Sequence, residues 1–268
     1  MKRTIVCLLS MFLLLGTASH AQKKMTSKKM NDKNMNLKQM TWSTKSDAAK
    51  ELALEGAKHA MNAEFEQAYD KFMSAIKLDP NFTQPLAFLA TMTNGETRKM
   101  YAKKAIESAA NKTEGEKLFA SVVEENKTQE ERRDIWARLH EMFPDGGMIG
   151  YFYVVTRATP DESFAAAQDY LQKFPDVAAM NNIIAYYYMN DKKDYDMAKK
   201  YFEKYIEMYP EGSNPYDSMG EFYAVTGDAA NSEKYYALSL EKYPYTNSSV
   251  AALKKIADDK KKNTAKKE

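Results

Sequence analysis

Four methionines, Met25, Met30, Met35 and Met40, recur every five residues in a segment rich in Lys, Asn, Ser and Thr. Thioether sulfur is a soft ligand, and a row of such groups is the chemistry that selects cuprous copper. A five-residue spacing suits neither one face of a helix nor one face of a strand. The segment therefore reads first as a flexible Met/Lys-rich tether over 22–45 and second as a cuprous copper site. The histidines offer less. His59 and His140 each stand without a second histidine at the spacing of a helical metal site, so both read as packed residues. Gly146-Gly147-Met148-Ile149-Gly150 is a glycine cluster in a helical context, whereas a phosphate loop needs a preceding strand, so it reads as a turn between helices. Cys7 is the single cysteine and lies in an apolar run, so thiolate catalysis and disulfides are not expected beyond that run. The carboxylates are plentiful but scattered, with no pair marked for acid–base work. No enzyme activity and no cofactor are expected.

The apolar run has its own meaning. Lys2 and Arg3 precede Ile5 to Leu15, and Gly16-Thr17-Ala18-Ser19-His20-Ala21 supplies small residues before Gln22. This is the pattern of a secretory signal peptide over 1–21, too short to span a bilayer. The expected location is the periplasm or outside the cell. The net charge of +2 hides an asymmetry: 22–45 carries seven Lys and one Asp, 259–268 carries five Lys and two acids, and 46–258 holds 25 basic against 34 acidic residues. An acidic body argues against a nucleic-acid partner, whose affinity rests on phosphate neutralisation. The basic ends are solubilising, with weak contact to anionic lipid as the sharper alternative.

From Ser46 the chain is punctuated. Pro80, Pro144, Pro175, Pro210 and Pro244 each close a helical pattern, at intervals of 64, 31, 35 and 34 residues. Proline ends a helix because it lacks the amide hydrogen and clashes with the preceding turn. Capping boxes at Thr113 to Glu116, Thr128 to Glu131 and Thr159 to Glu162 start helices, and Asp176 and Asn214-Pro215 open others. The pattern is helix, turn, helix, turn, with no run of strands.

Leu52, Gly56, Phe65, Ala68, Phe72, Ala75 and Pro80 resemble the signature of the tetratricopeptide repeat (TPR) at that family's spacing. Tyr195, Ala198, Phe202 and Pro210 are similar, as are Tyr216, Gly220, Tyr223, Gly227-Asp228, Tyr236 and Pro244. The resemblance implies an all-α, α-α superhelix (solenoid) of about six helical hairpins, over 46–80, 81–113, 114–144, 145–175, 176–210 and 211–244. A capping helix over 246–258 and a basic tail over 259–268 follow. Gly56 and Gly220 fall where paired helices approach closely. Arg132 stands where a small residue is expected, and Gly150 and Tyr151 replace the usual pair, so the middle repeats depart from the pattern.

The resemblance also implies a non-catalytic scaffold that holds a protein or peptide partner in a concave groove lined by first helices. By register, Phe152, Val155, Tyr186, Met189, Asn190, Asp217 and Glu221 face that groove. In Tyr186-Tyr187-Tyr188 the rings must point in different directions, so at least one belongs to the core. An acidic, aromatic lining suits basic or aromatic-containing peptides.

Overall fold

The computed structural model describes residues 39–144 and 147–265. Among them are thirteen α-helices and no strand. The helices follow one another as α1 (Asp47–Met61), α2 (Phe65–Leu78), α3 (Thr83–Met92), α4 (Gly95–Ala109), α5 (Glu114–Ser121), α6 (Gln129–Met142) and α7 (Gly147–Val155). They continue as α8 (Pro160–Lys173), α9 (Ala179–Tyr187), α10 (Tyr195–Met208), α11 (Asn214–Val225), α12 (Ala229–Lys242) and α13 (Asn247–Ala265). The fold is an all-α, TPR-like helical repeat. Residues 39–60 and 65–166 form one body, and residues 61–64 and 167–265 form the other, the division falling within α8.

Hairpins close where a ring sits on a residue with no side chain. A Cβ built on Gly56 would lie 2.8 Å from the Phe72 ring, and one on Gly220 would lie 2.8 Å from the Tyr236 ring. Ala68 and Ala198, on the second helices, are fully buried. The rings continue into the core of the first body. Phe72 stacks on Phe88 at 4.6 Å, and Phe88 meets Phe119 and Phe152 at 5.7 Å each. Helix α3 is apolar over most of its circumference and is buried from Thr83 to Ala90, as an all-round apolar helix must be.

The departure at Arg132 has a local cause. Helix α5 is only eight residues long, and the Arg132 guanidinium donates to the carbonyls of Val122 and Glu124 just beyond its end. A cation there satisfies carbonyls that a short helix leaves open.

Several boundaries differ from the sequence reading. Gly147 begins α7 in a left-handed conformation (φ +65°), so the glycine cluster is helical from that residue onward. Helix α9 starts at Ala179, later than Asp176. It runs into a π-helical segment, Tyr188–Lys192, which ends at left-handed Lys193. Helix α13 continues to Ala265, past the expected end at 258.

The largest difference is at the start. Residues 39–45, read as part of a flexible tether, form an extended strap in the first body. Met40 is buried, Trp42 meets Phe82 edge-on at 6.1 Å, and the Thr44 hydroxyl donates to Asp79 Oδ2 at 2.6 Å.

In the second body, the turn Met61–Glu64 carries the buried Glu64. Its carboxylate accepts from the Tyr209 hydroxyl at 2.7 Å and from the Ser213 amide at 2.9 Å. The core beside it packs Tyr186, Met189, Ala198, Phe202, Met219 and Phe222.

Filling a closed crossing forces the ring out. Gly220→Leu and Ala68→Leu are each expected to destabilise the fold by about 1–3 kcal/mol, read as a lower urea midpoint at unchanged slope. An unchanged midpoint would show that the crossing is slack.

Candidate functional site

The seven residues assigned to the groove divide between the bodies. In the first, Phe152 on α7 is half-buried and stacks on Trp136 at 4.8 Å and 18°. Val155, one helical turn further on, is also half-buried. Both thus keep an accessible part while helping to close the aromatic core. His140 is stacked on the Tyr153 ring at 4.3 Å, with the Arg157 guanidinium 3.9 Å from the same ring centroid. This is the packed histidine expected from its isolation in the sequence.

In the second body, the first helices carry a ladder of side-chain hydrogen bonds. The Tyr186 hydroxyl on α9 donates to Glu221 Oε2 on α11 at 2.7 Å. The Ser249 hydroxyl on α13 donates to Asp217 Oδ1 on α11 at 2.5 Å. Asp217 and Glu221 are one turn apart and therefore share a face of α11. Burial pushes the Glu221 carboxyl above its ordinary value of 4.5, against the Tyr186 hydrogen bond, which lowers it. Burial also raises the Tyr186 and Tyr236 hydroxyls, with nearby acidic charge acting in the same direction. All three groups therefore favour their neutral forms. The arrangement is a row of hydrogen-bonding acid and hydroxyl groups.

Three of the assigned residues are buried, Asp217 among them. Met189 is fully enclosed in the core, and Tyr186 is buried with its ring edge-on to Phe202 at 5.2 Å. Register placed Met189 on the groove face, but it lies on one stripe with Ala185 and Tyr186, four and three residues before it, and that stripe is covered by Phe202 and Phe222. Tyr186 reaches the face only through its hydroxyl. Asn190, inside the π-helical segment, is exposed. Of the tyrosine run, Tyr186 and Tyr187 are buried and Tyr188 is half-buried, as three successive rings on a helix require.

Ser249 was missed, because the last helix was read only by its apolar stripe. A usable signal was present: Ser249 lies two residues beyond the start of α13 and 32 residues after Asp217, close to one repeat length.

The cuprous reading fares differently. Met25, Met30 and Met35 lie outside the described residues. Met40 is packed in the core, its Cγ 3.4 Å from where a Gly115 Cβ would stand. A thioether so held cannot join an open metal site without leaving the core. Among the described residues, no group of three or more His, Cys, Asp and Glu side chains could hold a metal ion, and no helix is long and apolar enough to cross a membrane.

No protein-family profile matches the chain, and no curated protein does. Similar folds occur among solved structures. A thermophilic TPR protein, TTC0263 from Thermus thermophilus, is 15% identical with a TM-score of 0.37, covering 78% of this chain and 99% of its own. PilW, a type IV pilus biogenesis factor, is 13% identical with a TM-score of 0.45 over 78% of this chain and 99% of its own. PilF of Pseudomonas aeruginosa is 14% identical with a TM-score of 0.41 over 79% of this chain and 97% of its own.

The raised Glu221 carboxyl makes a signed expectation. The folded chain keeps its proton to higher pH than the unfolded chain, whose value is near 4.5. The stability this group contributes is therefore full below that value and is lost as pH rises through the folded one. Glu221→Gln removes that loss, so its thermal midpoint falls less between pH 4.5 and neutrality than that of the wild type. Parallel curves for the two proteins would contradict the assignment.

Proposed function

We propose that the protein is a non-catalytic protein- or peptide-binding scaffold of the bacterial cell envelope, exported by the segment 1–21. The partner lies along the first helices of the hairpins. The observation that carries this reading is the ladder on α9, α11 and α13. There, Asp217 and Glu221 share one face and accept hydrogen bonds from hydroxyls of neighbouring first helices. Glu221, which is only partly buried, is the acid of this pair that a donor-bearing ligand reaches. With 34 acidic against 25 basic residues over 46–258, the field around this face draws cationic ligands.

Basic peptides containing an aromatic residue are accordingly the favoured class. Asn190, in the same body as the ladder, adds an exposed amide. Stacked repeat proteins use such faces because each first helix adds one more row of side chains along a continuous surface. The lysines of 259–268 add weak attraction to anionic lipid.

Isothermal titration with a Lys/Arg-Tyr peptide library and a charge-reversed Asp/Glu library tests the reading. Binding of the basic set is expected, weakened several-fold by Asp217→Asn, with affinity falling as salt is raised. Tight binding of the acidic set, unaffected by Asp217→Asn, would overturn it.

A further inference from the structure

The strap at residues 40–46 is held in the first body as a bound peptide would be. Met40 lies beside Gly115, where any Cβ would strike the Phe143 ring, so the glycine leaves room for the packed side chains. Trp42 sets its edge on Phe82. Ser43 gives both its amide and its hydroxyl to the two oxygens of Glu116, at 2.8 Å each. The carbonyls of Thr41 and Ser43, two residues apart, receive Gln84 Nε2 at 3.2 Å and Lys112 Nζ at 2.9 Å. Thr44 gives its hydroxyl to Asp79. These partners lie along a row formed by the starts of α3 and α5 and the turn after α2.

Glu116 shows that this row is built for more than helix capping. Complete Thr-to-Glu capping boxes form at Thr113/Glu116 and at Thr128/Glu131. Glu131 does the same capping work while exposed, whereas Glu116 is fully buried. Burial alone would raise the Glu116 carboxyl. The hydrogen bonds from Ser43, Thr113 and Gln84 outweigh it and hold the carboxyl below its ordinary value. A buried carboxylate is costly unless its oxygens are filled, and the strap supplies two of the donors. Gln84 is also fully buried and reaches both Glu116 and the strap.

We infer that the row made by Asp79, Phe82, Gln84, Lys112, Gly115 and Glu116 is a recognition site for an extended peptide of the form Met-x-Trp-Ser-Thr, filled in cis by residues 40–44 and able to take the same segment from a second copy of this chain. Each of these strap contacts is made with a residue of the body, and side chains of the strap make most of them, so they specify a sequence and not merely a backbone. The strap runs into α1 through Lys45 and Ser46, where the Ser46 hydroxyl accepts from the Ala49 amide at 3.1 Å to start the helix and the Ser46 amide donates to the Thr44 hydroxyl at 3.2 Å. Residues 40–44 can therefore leave without unwinding that helix. Tethering gives the cis segment an effective concentration in the millimolar range, which masks the site from ligands in trans.

The test uses the full chain with its strap weakened, Met40→Ala/Trp42→Ala/Ser43→Ala, and leaves every body residue intact. A fluorescent peptide of residues 39–46 is titrated by anisotropy, with a scrambled peptide as control. Saturable binding to the strap variant is expected, at least about a hundredfold tighter than to the wild type, whose site is filled. Adding Lys112→Met should weaken it about tenfold, the loss of one charge-assisted hydrogen bond. Circular dichroism melts of each variant accompany the titrations. A folded strap variant that ignores the peptide, or binds the scrambled one equally well, overturns the inference. A strap variant that loses helix also overturns it, because residues 40–44 would then be an inseparable part of the fold.

Discussion

Everything in this fold depends on helices approaching one another at positions that have little or no side chain. A single hairpin cannot bury the rings it carries, so Phe72 is seated on Gly56 and Tyr236 on Gly220, each in a gap that one extra carbon would close. The seated ring then offers its other surface onward. Phe72 stacks on Phe88, and Phe88 meets Phe119 and Phe152. The crossing thus links the hairpin to the stack: the same side chain closes one unit and begins the contact with the next. Stability spreads along the repeats by nearest-neighbour packing, and no central core is required.

Buried carboxylates punctuate that packing, and their surroundings set their charge. Glu116 is surrounded by amide, hydroxyl and carboxamide donors and is held as a carboxylate. Glu221 receives the Tyr186 hydroxyl, and burial drives its proton affinity up. Glu64 is filled by Tyr209 and Ser213 in the second body. The contrast between Glu116 and Glu221 follows from the donors that reach them, since each buried oxygen must be paired or neutralised. Glu116, with many donors, organises a segment of its own chain. Glu221, held by the Tyr186 hydroxyl, keeps capacity for a ligand.

How much of this was legible in the sequence varied with the kind of signal. Hairpins were legible because each is written several times over: a capping residue, a periodic apolar face, a small residue at the crossing and a proline after the end. The capping boxes at Thr113 and Thr128 form as read. The strap was not legible, because Met40 and Trp42 sit among lysines and polar residues with no period that either helix or strand would impose. Its packing depends on partners such as Glu116, 73 residues from Ser43. Met189 was misplaced for a related reason. Register assigns residues to a face, whereas the neighbours that cover the face, here Phe202 and Phe222, come from distant parts of the chain. Arg132 was correctly seen as a departure, but its role as a cap on the carbonyls after α5 needed the geometry. Register named Asp217 and Glu221 but not Ser249, whose hydroxyl donates to Asp217 from 32 residues further along the chain.

The central claim is that partners dock along the first helices. It is tested most directly by site-specific photo-crosslinking in intact cells, with a photoreactive phenylalanine analogue at single positions. Phe152 on the first helix α7 is half-buried and already carries a phenyl ring, while Ala165 on the second helix α8 is exposed. The account predicts discrete protein adducts from position 152 and none above background from position 165. Adducts from 165 with none from 152, in a protein that remains folded, would contradict it.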